Sequence, residues 1–276
     1  TNWNAMMASA MLRAGAVLND EWAIGHAVLT LERIRRECGS HSGVSHTPGG
    51  VEGLLDDQVQ VAAAALDAYE TTGMGEWLEY ADRLMDHVWS EYWDSENGGL
   101  FDTARSRADG AGLLPTPAKP IQDTPTPSPN GVAGIVLARL HELTGQSRRR
   151  EQAESLLRAF AGRAEELGLY AATYLLAVDW HLNPASHMVV VGEAHDPLAQ
   201  AMHRQALASF VPRRVVQLVG PSQAQTRPLP PPLREMLRAA KETRGYLCTG
   251  TSCSQPASDL VQWQSTLESA RPGVHA

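Results

Sequence analysis

LLDDQVQVAAAALDAYETTGMGEWLEYADRLMDHVWSEYW, residues 54–93, decides the fold. Apolar residues recur at helical spacing over 54–72 and again over 75–93, and Gly73 between them suits a helix C-terminal cap. Two helices joined by so short a turn form a hairpin. The same reading extends upstream to WNAMMASAMLRAGAVL (3–18) and DEWAIGHAVLTLERIRRE (20–37), both rich in Ala and Leu. Downstream, helices are expected over 129–143, 147–166 and about 168–181. The turns within pairs are short, whereas the connections between pairs are long. CGSHSGVSHTPGGVEG (38–53) and the Pro-rich 104–127 are two such connections, and loops of that length commonly cover or line a site. The pattern predicts a toroid or solenoid of helical hairpins.

One entrance carries polar groups in unusual density. In PIQDTPTPSPNGVAGIVLARL (120–140), Ser128 suits an N-cap and Pro129 the first helical position. Asn130 falls in the first turn, and Gly131 and Gly134 allow a neighbouring helix to approach closely. DSENGG (94–99) reads as a turn and LFDTA after it as a short strand.

After Pro184 the pattern changes. HMVVVG (187–192) and RVVQLVG (214–220) read as buried strands flanking a helix over 196–209, one βαβ unit. RPLPPPLREML enters another helix, GYLCTGTSCSQP reads as a strand and loop, and a last helix is expected near 257–270. The chain therefore divides into a helical portion, 1–183, and a small α/β tail, 184–276. VVVGEAHD has one Gly where a dinucleotide fingerprint wants three, so no nicotinamide cofactor is expected.

Composition narrows the function. The 276 residues carry 31 acidic against 23 Lys and Arg side chains, which disfavours contact with nucleic acid or anionic lipid. No window approaches the ~20 apolar residues of a membrane span, and a cytoplasmic location is expected. Cys38, Cys248 and Cys253 are too few for a four-cysteine zinc site, and no metal or other cofactor is expected. Cys248 and Cys253 have four residues between them, not the two of a redox motif, so a buried pair of thiols in a reducing compartment is the expectation. The chain opens on Thr and enters a helix at once, as a piece of a longer protein would.

Five motifs occur in order: TNWNAMM (1–7), LLDDQ (54–58), WDSENGGLFDT (93–103), QDTPTPSPN (122–130) and YLCTGTSCSQP (246–256). Together they resemble the carboxy-terminal portion of the spermatogenesis-associated protein 20 and YyaL family. The resemblance implies a mainly α fold: part of an (α/α)6 barrel similar to those of six-hairpin glycosidases and N-acylglucosamine 2-epimerases, with the α/β tail appended. It also implies that a thioredoxin-like domain and about half of the barrel belong to the parent protein, outside this chain. Carried over by position, the family's Trp-Asn pair falls on Trp3 and Asn4. Its Asp-Tyr-Ala triplet falls on Asp57, with Gln58 and Val59 replacing Tyr and Ala and removing an aromatic wall. Its Asp, Pro, Ser and Asn fall on Asp123, Pro127, Ser128 and Asn130, and its late cysteines on Cys248 and Cys253.

Asp57 and Asp123 are then the candidate catalytic pair, and Trp3, Asn4, Ser128 and Asn130 the candidate substrate-binding residues for a small sugar-like ligand. Glycoside chemistry needs two carboxyl groups about 5 Å apart for retention or about 6.5–9.5 Å apart for inversion. Against this, acidic side chains in a helix's first turn also satisfy the macrodipole, which serves for Asp56 and Asp57, and Asp123 beside proline suits a turn. His41 and His46 lie in the 38–53 loop, where a general base or an idle solvated side chain are both readings. His87 and His141 sit on amphipathic helices and read as structural. Trp77, Trp89, Tyr92 and Trp93 read first as core, with one as a sugar platform the alternative. Two further readings stand beside a sugar-handling enzyme: a non-catalytic scaffold or interaction domain, and a truncated barrel that exposes an apolar face.

Overall fold

The computed structural model describes residues 1–40, 43–105, 117–221 and 229–270. Its helices are α1 Asn2–Leu18, α2 Glu21–Glu37, α3 Leu55–Thr72, α4 Gly75–Tyr92, α5 Pro129–Thr144, α6 Ser147–Arg158, the one-turn α7 Ala164–Leu167 and α8 Ala172–Leu182. The cap residues set most of these bounds. Asp20 accepts from the Ala23 N–H at 3.1 Å to open α2, and Gly73, at φ 72°, closes α3 as a left-handed cap. Ser128 accepts from the Gly131 N–H at 3.2 Å, with Pro129 at the first helical position of α5.

Three hairpins result, α1/α2, α3/α4 and α5/α6. Their first helices α1, α3 and α5, followed by α8, pack side by side as an inner row, and α2, α4 and α6 back α1, α3 and α5 from outside. Burial follows this order. Nearly all of α3 is buried, including Leu55, Val59, Leu66 and Tyr69, because it has neighbours on both sides and behind. The row tightens where glycine permits it. A Cβ on Gly131 would lie 2.8 Å from the Tyr174 backbone nitrogen, and one on Gly134 2.9 Å from the Ala177 Cβ, so α5 and α8 approach as expected. Trp77 and Tyr92 are wholly buried, while Trp89 and Trp93 stack with ring centroids 4.2 Å apart.

Several expectations change. The single helix over 147–166 breaks after Arg158, where Phe160, Ala161 and Arg163 donate to carbonyls three residues back, and Phe160 turns inward against Tyr174. The next helix starts as a 3-10 turn, Gly168–Ala171, before α8. LFDTA forms no strand; a lone bridge pairs Trp93 with Leu100. His41 and residues 106–116 of the long Pro-rich loop lie outside the described residues.

Beyond α8 come β1 Ser186–Val191, α9 Pro197–Ala208, β2 Arg214–Val219, α10 Pro231–Ala239, β3 Arg244–Thr249, β4 Ser252–Cys253 and α11 Leu260–Ser269. The sheet order is β2-β1-β3-β4. β1 and β2 are parallel, with Ser186 opposite Arg214, and β3 runs antiparallel to β1. One face of the sheet packs Met188, Val190 and Val216 against Met202 of α9 and Trp263 of α11, and the other packs Val189, Val191 and Tyr246 against Leu233 of α10. Cys248 and Cys253 are directly opposite in the β3–β4 pair and form a disulfide. This corrects the expectation of two buried thiols: Cys248 is buried but Cys253 is exposed, and the hairpin register supplies the proximity that spacing alone hides. Among the described residues no helix is long and apolar enough to cross a membrane.

The sheet sits at the C-terminal ends of the inner helices. Gln217 of β2, buried, donates to the Tyr69 hydroxyl at 2.7 Å and to the Leu143 carbonyl at 3.3 Å. Glu70 accepts from the Val216 N–H at 3.2 Å, and its carbonyl lies 2.8 Å from His203 Nε2. Burial pushes His203 down to about 4, so it is neutral at pH 7 and donates from Nε2.

Candidate functional site

The N-termini of α1, α3, α5 and α8 are joined by polar side chains into a rim of helix entrances, and the residues singled out from the sequence fall there in two groups. The first lies between α1 and α3. Asp57, fully buried, accepts from the Asn2 N–H at 3.0 Å and from the Leu54 N–H at 2.9 Å, so one carboxylate caps two helices. Its third partner is His46, whose Nδ1 stands 2.9 Å from Oδ2 and 3.2 Å from Oδ1. The His46 side chain is 49% exposed. Beside this pair, Asn2 Nδ2 donates to Asp56 at 2.5 Å and Gln60 Nε2 donates to the same carboxylate at 3.2 Å. Trp3, 71% exposed, and Asn4, also exposed, follow Asn2 on the first turn of α1.

The second group lies between α5 and α8. Asp123, half-buried, accepts from the Ser128 N–H at 2.7 Å and from the Thr173 N–H at 2.8 Å, again one carboxylate for two helix entrances. Asn130 is buried and fully used: it accepts from the Leu100 N–H at 2.9 Å and donates to the carbonyls of Leu100 at 3.0 Å and Pro120 at 2.8 Å. Ser128 is spent on its cap. Of the six residues named from sequence, Trp3 and Asn4 are the ones left open to solvent.

WDSENGGLFDT runs between the two groups and ties them together. Asp94 folds the turn by accepting from the Glu96 and Asn97 N–H groups, and Lys119 Nζ donates to it at 2.5 Å, which holds its carboxyl well below the usual range. Leu100 is gripped by Asn130, and the Asp102 carbonyl accepts from the Leu55 N–H at 2.9 Å at the head of α3.

Gln58, where the family pattern has Tyr, faces none of this. Wholly buried, it accepts from the Val44 N–H at 2.9 Å and donates to the Val44 carbonyl at 2.8 Å. Gln58 therefore clamps the 38–53 loop onto α3, and that loop carries His46. His87 is buried with Nε2 3.3 Å from Glu52, and His141 Nδ1 lies 3.1 Å from the Gln146 carbonyl at the close of α5.

The His46–Asp57 pair is what sequence spacing did not single out. The two are eleven residues apart and on different elements, and only the folded loop brings them together. Chemically, a buried carboxylate holding Nδ1–H of a half-exposed imidazole fixes the tautomer and leaves Nε2 a lone pair for a proton. Among the described residues no group of three or more His, Cys, Asp or Glu is placed to hold a metal ion.

No protein-family model matches the chain. Over 96% of its length it is 29% identical to spermatogenesis-associated protein 20 of Homo sapiens, 29% to that of Rattus norvegicus and 28% to that of Mus musculus. The chain spans 35% of each of these relatives, about a third of their length. The resemblance drawn from the five motifs thus runs through nearly the whole chain. Among solved structures, a selenomethionine derivative of a GH76 alpha-mannanase of Bacteroides thetaiotaomicron superposes with a TM-score of 0.52 at 12% identity, covering 79% of this chain and 62% of that one. That likeness is one of fold, an α/α toroid of the glycosidase type.

Proposed function

We propose that this chain is a carbohydrate-handling α/α domain whose entrance rim takes a small sugar-like ligand, with His46 as the group that exchanges a proton with it. The observation that carries the reading is the His46–Asp57 pair, a solvent-reaching imidazole held at 2.9 Å by a buried carboxylate among inner-helix N-termini. A base oriented in this way by a second group is the usual arrangement for proton transfer. Hydrolysis would ask Asp57 and Asp123 to act as acid and base across a bond. Both already accept two backbone N–H groups each, so they serve better as positioning residues. Removal and return of the proton on a carbon beside a sugar carbonyl needs one such base and is the chemistry favoured here. Trp3 offers an aromatic face and Asn4 a hydrogen-bonding edge for the ring.

A second reading, a binding or scaffold domain without turnover, is favoured by the same saturation of Asp123, Ser128 and Asn130. In either case we propose that further hairpins of the parent protein complete the toroid. Beyond the first turn, Met7, Ala10, Ala14 and Val17 form an exposed stripe along α1, Met7 and Val17 being 62% and 60% exposed. An apolar inner-helix face of that kind suits a neighbouring helix.

Thermal unfolding with and without a panel of mono- and disaccharides tests the ligand. A ligand that prefers the native state raises Tm. The expected result is a rise with at least one sugar that weakens in His46→Gln; a cooperative melt unmoved by every sugar contradicts the reading.

A further inference from the structure

At the opposite, C-terminal end of the inner helices lies a pocket of about 310 Å³. α1, α3, α5 and α8 wall it, and the turn from α9 into β2 borders it. Four arginines line it, Arg13, Arg139, Arg213 and Arg214. Asp67 takes Arg13 at 3.1 Å and Arg139 at 2.7 Å, and Glu70 takes Arg139 at 2.8 Å. Burial works against charge on Asp67, yet Arg139 and Arg13 hold its carboxyl below the usual range. Arg213 pairs with Asp179 at 2.5 Å. Four cations therefore face three carboxylates, and one positive charge is in surplus.

The surplus falls on the Arg213–Arg214 pair. Arg214 donates to the Leu207 carbonyl at 2.7 Å and has no carboxylate within ion-pair distance among the described residues; burial holds its pKa below the ordinary value. Arg213 Nε is buried without a partner among the described residues. Adjacent residues of a strand point to opposite faces, yet both side chains line this pocket. Arg213 sits at φ 50°, a left-handed conformation rare for a non-glycine residue, at the turn into β2. The lining also carries the apolar side chains of Ile135, Leu176, Trp180 and Val211.

We propose that this pocket is a binding site for a small organic anion, a carboxylate or phosphate monoester carried on a ring or short apolar body, with the anionic group on Arg213 and Arg214 and the body against Trp180. Guanidinium groups bind both anions through paired, charge-assisted hydrogen bonds, and the volume matches a small-molecule site. The site stands apart from the entrance rim and does not rest on the sugar reading.

Isothermal titration of the chain with benzoate, phenyl phosphate and the neutral isostere benzyl alcohol tests it. The two acids separate a carboxylate from a phosphate ligand. At least one anion is expected to bind saturably, more weakly at higher salt, while benzyl alcohol does not. Arg214→Gln is expected to weaken binding about tenfold or more, the cost of one charge-assisted contact. Because Arg214 is half-buried and its loss can disturb the fold, Arg13→Gln, which removes the surplus positive charge without touching the anion's own contacts, is the second variant. Its side chain is 66% exposed and Asp67 keeps Arg139, so the fold should hold while binding falls severalfold. Absence of saturable binding by both anions, or anion binding undiminished in a folded Arg214→Gln or Arg13→Gln, overturns the proposal.

Discussion

Asp57 shows how much one side chain can hold. It accepts from the backbone of two helix entrances and from an imidazole, all from a fully buried position. Asn at the same position keeps the shape but turns one acceptor into an NH2 group that faces an N–H. Asp57→Asn is therefore expected to cost about 2–4 kcal/mol, the sum of one lost charge-assisted bond and one buried donor left unmade, measured as a shift in urea midpoint without a change in slope. A loss under 0.5 kcal/mol would mean that the rim does not depend on this carboxylate. The sequence made Asp57 visible as a candidate, but not its partners. Both a helix-start acid and a catalytic acid suit the same letters, and His46 reaches it only through a loop that Gln58 pins from inside the core.

At the scale of elements, the sequence was most legible where local chemistry sets the end of a helix. Ser128-Pro129 and Gly73 each cap where expected, since the capping bond depends on residues within one turn. It was least legible where packing overrules periodicity: the apolar pattern runs on past Arg158, but Phe160 turns in against Tyr174 and breaks the helix. The disulfide was hidden for a similar reason, because the β3–β4 register is a pairing between segments. Gly131 of α5 and Gly162, in the turn after α6, give a paired prediction. At Gly131 a methyl would press on the α8 backbone at 2.8–2.9 Å, whereas at Gly162 nothing lies within 4 Å. Gly131→Ala is expected to destabilise by about 1–3 kcal/mol through overpacking, and Gly162→Ala to change stability by less than about 0.5 kcal/mol. Equal effects in chemical denaturation would contradict the close α5–α8 packing.

Over the whole molecule, a row of inner helices is open along the outer edge of α1 and bound to a small sheet at its C-terminal ends. That bond includes a titratable link. His203 of α9 donates to the Glu70 carbonyl of α3 and is held neutral, its value pushed by burial to about 4; burial pushes His187 of β1 to about 4 as well. A histidine whose folded value lies below the ordinary 6.5 binds its proton more readily when the chain is unfolded. Its contribution is whole above about pH 6.5 and is lost as pH falls toward 4. For His203 the loss is on the order of 3 kcal/mol. Melting temperature is expected to fall through that window, and His203→Gln, which keeps a donor but cannot titrate, to flatten the fall. Parallel profiles for the two proteins would show that the link does not carry the pH dependence.

These scales meet in one place: a toroid-type row of helices presents a histidine and a buried carboxylate where its helices begin, and we propose that the histidine exchanges a proton with a sugar. The most direct measurement is deuterium uptake by reducing sugars and N-acylated hexosamines incubated with the chain in heavy water, followed by mass spectrometry. The expected result is a gain of one mass unit at the carbon beside the carbonyl of at least one sugar, abolished in His46→Gln. Exchange no faster than without protein for every sugar, or equal in the variant, would contradict it.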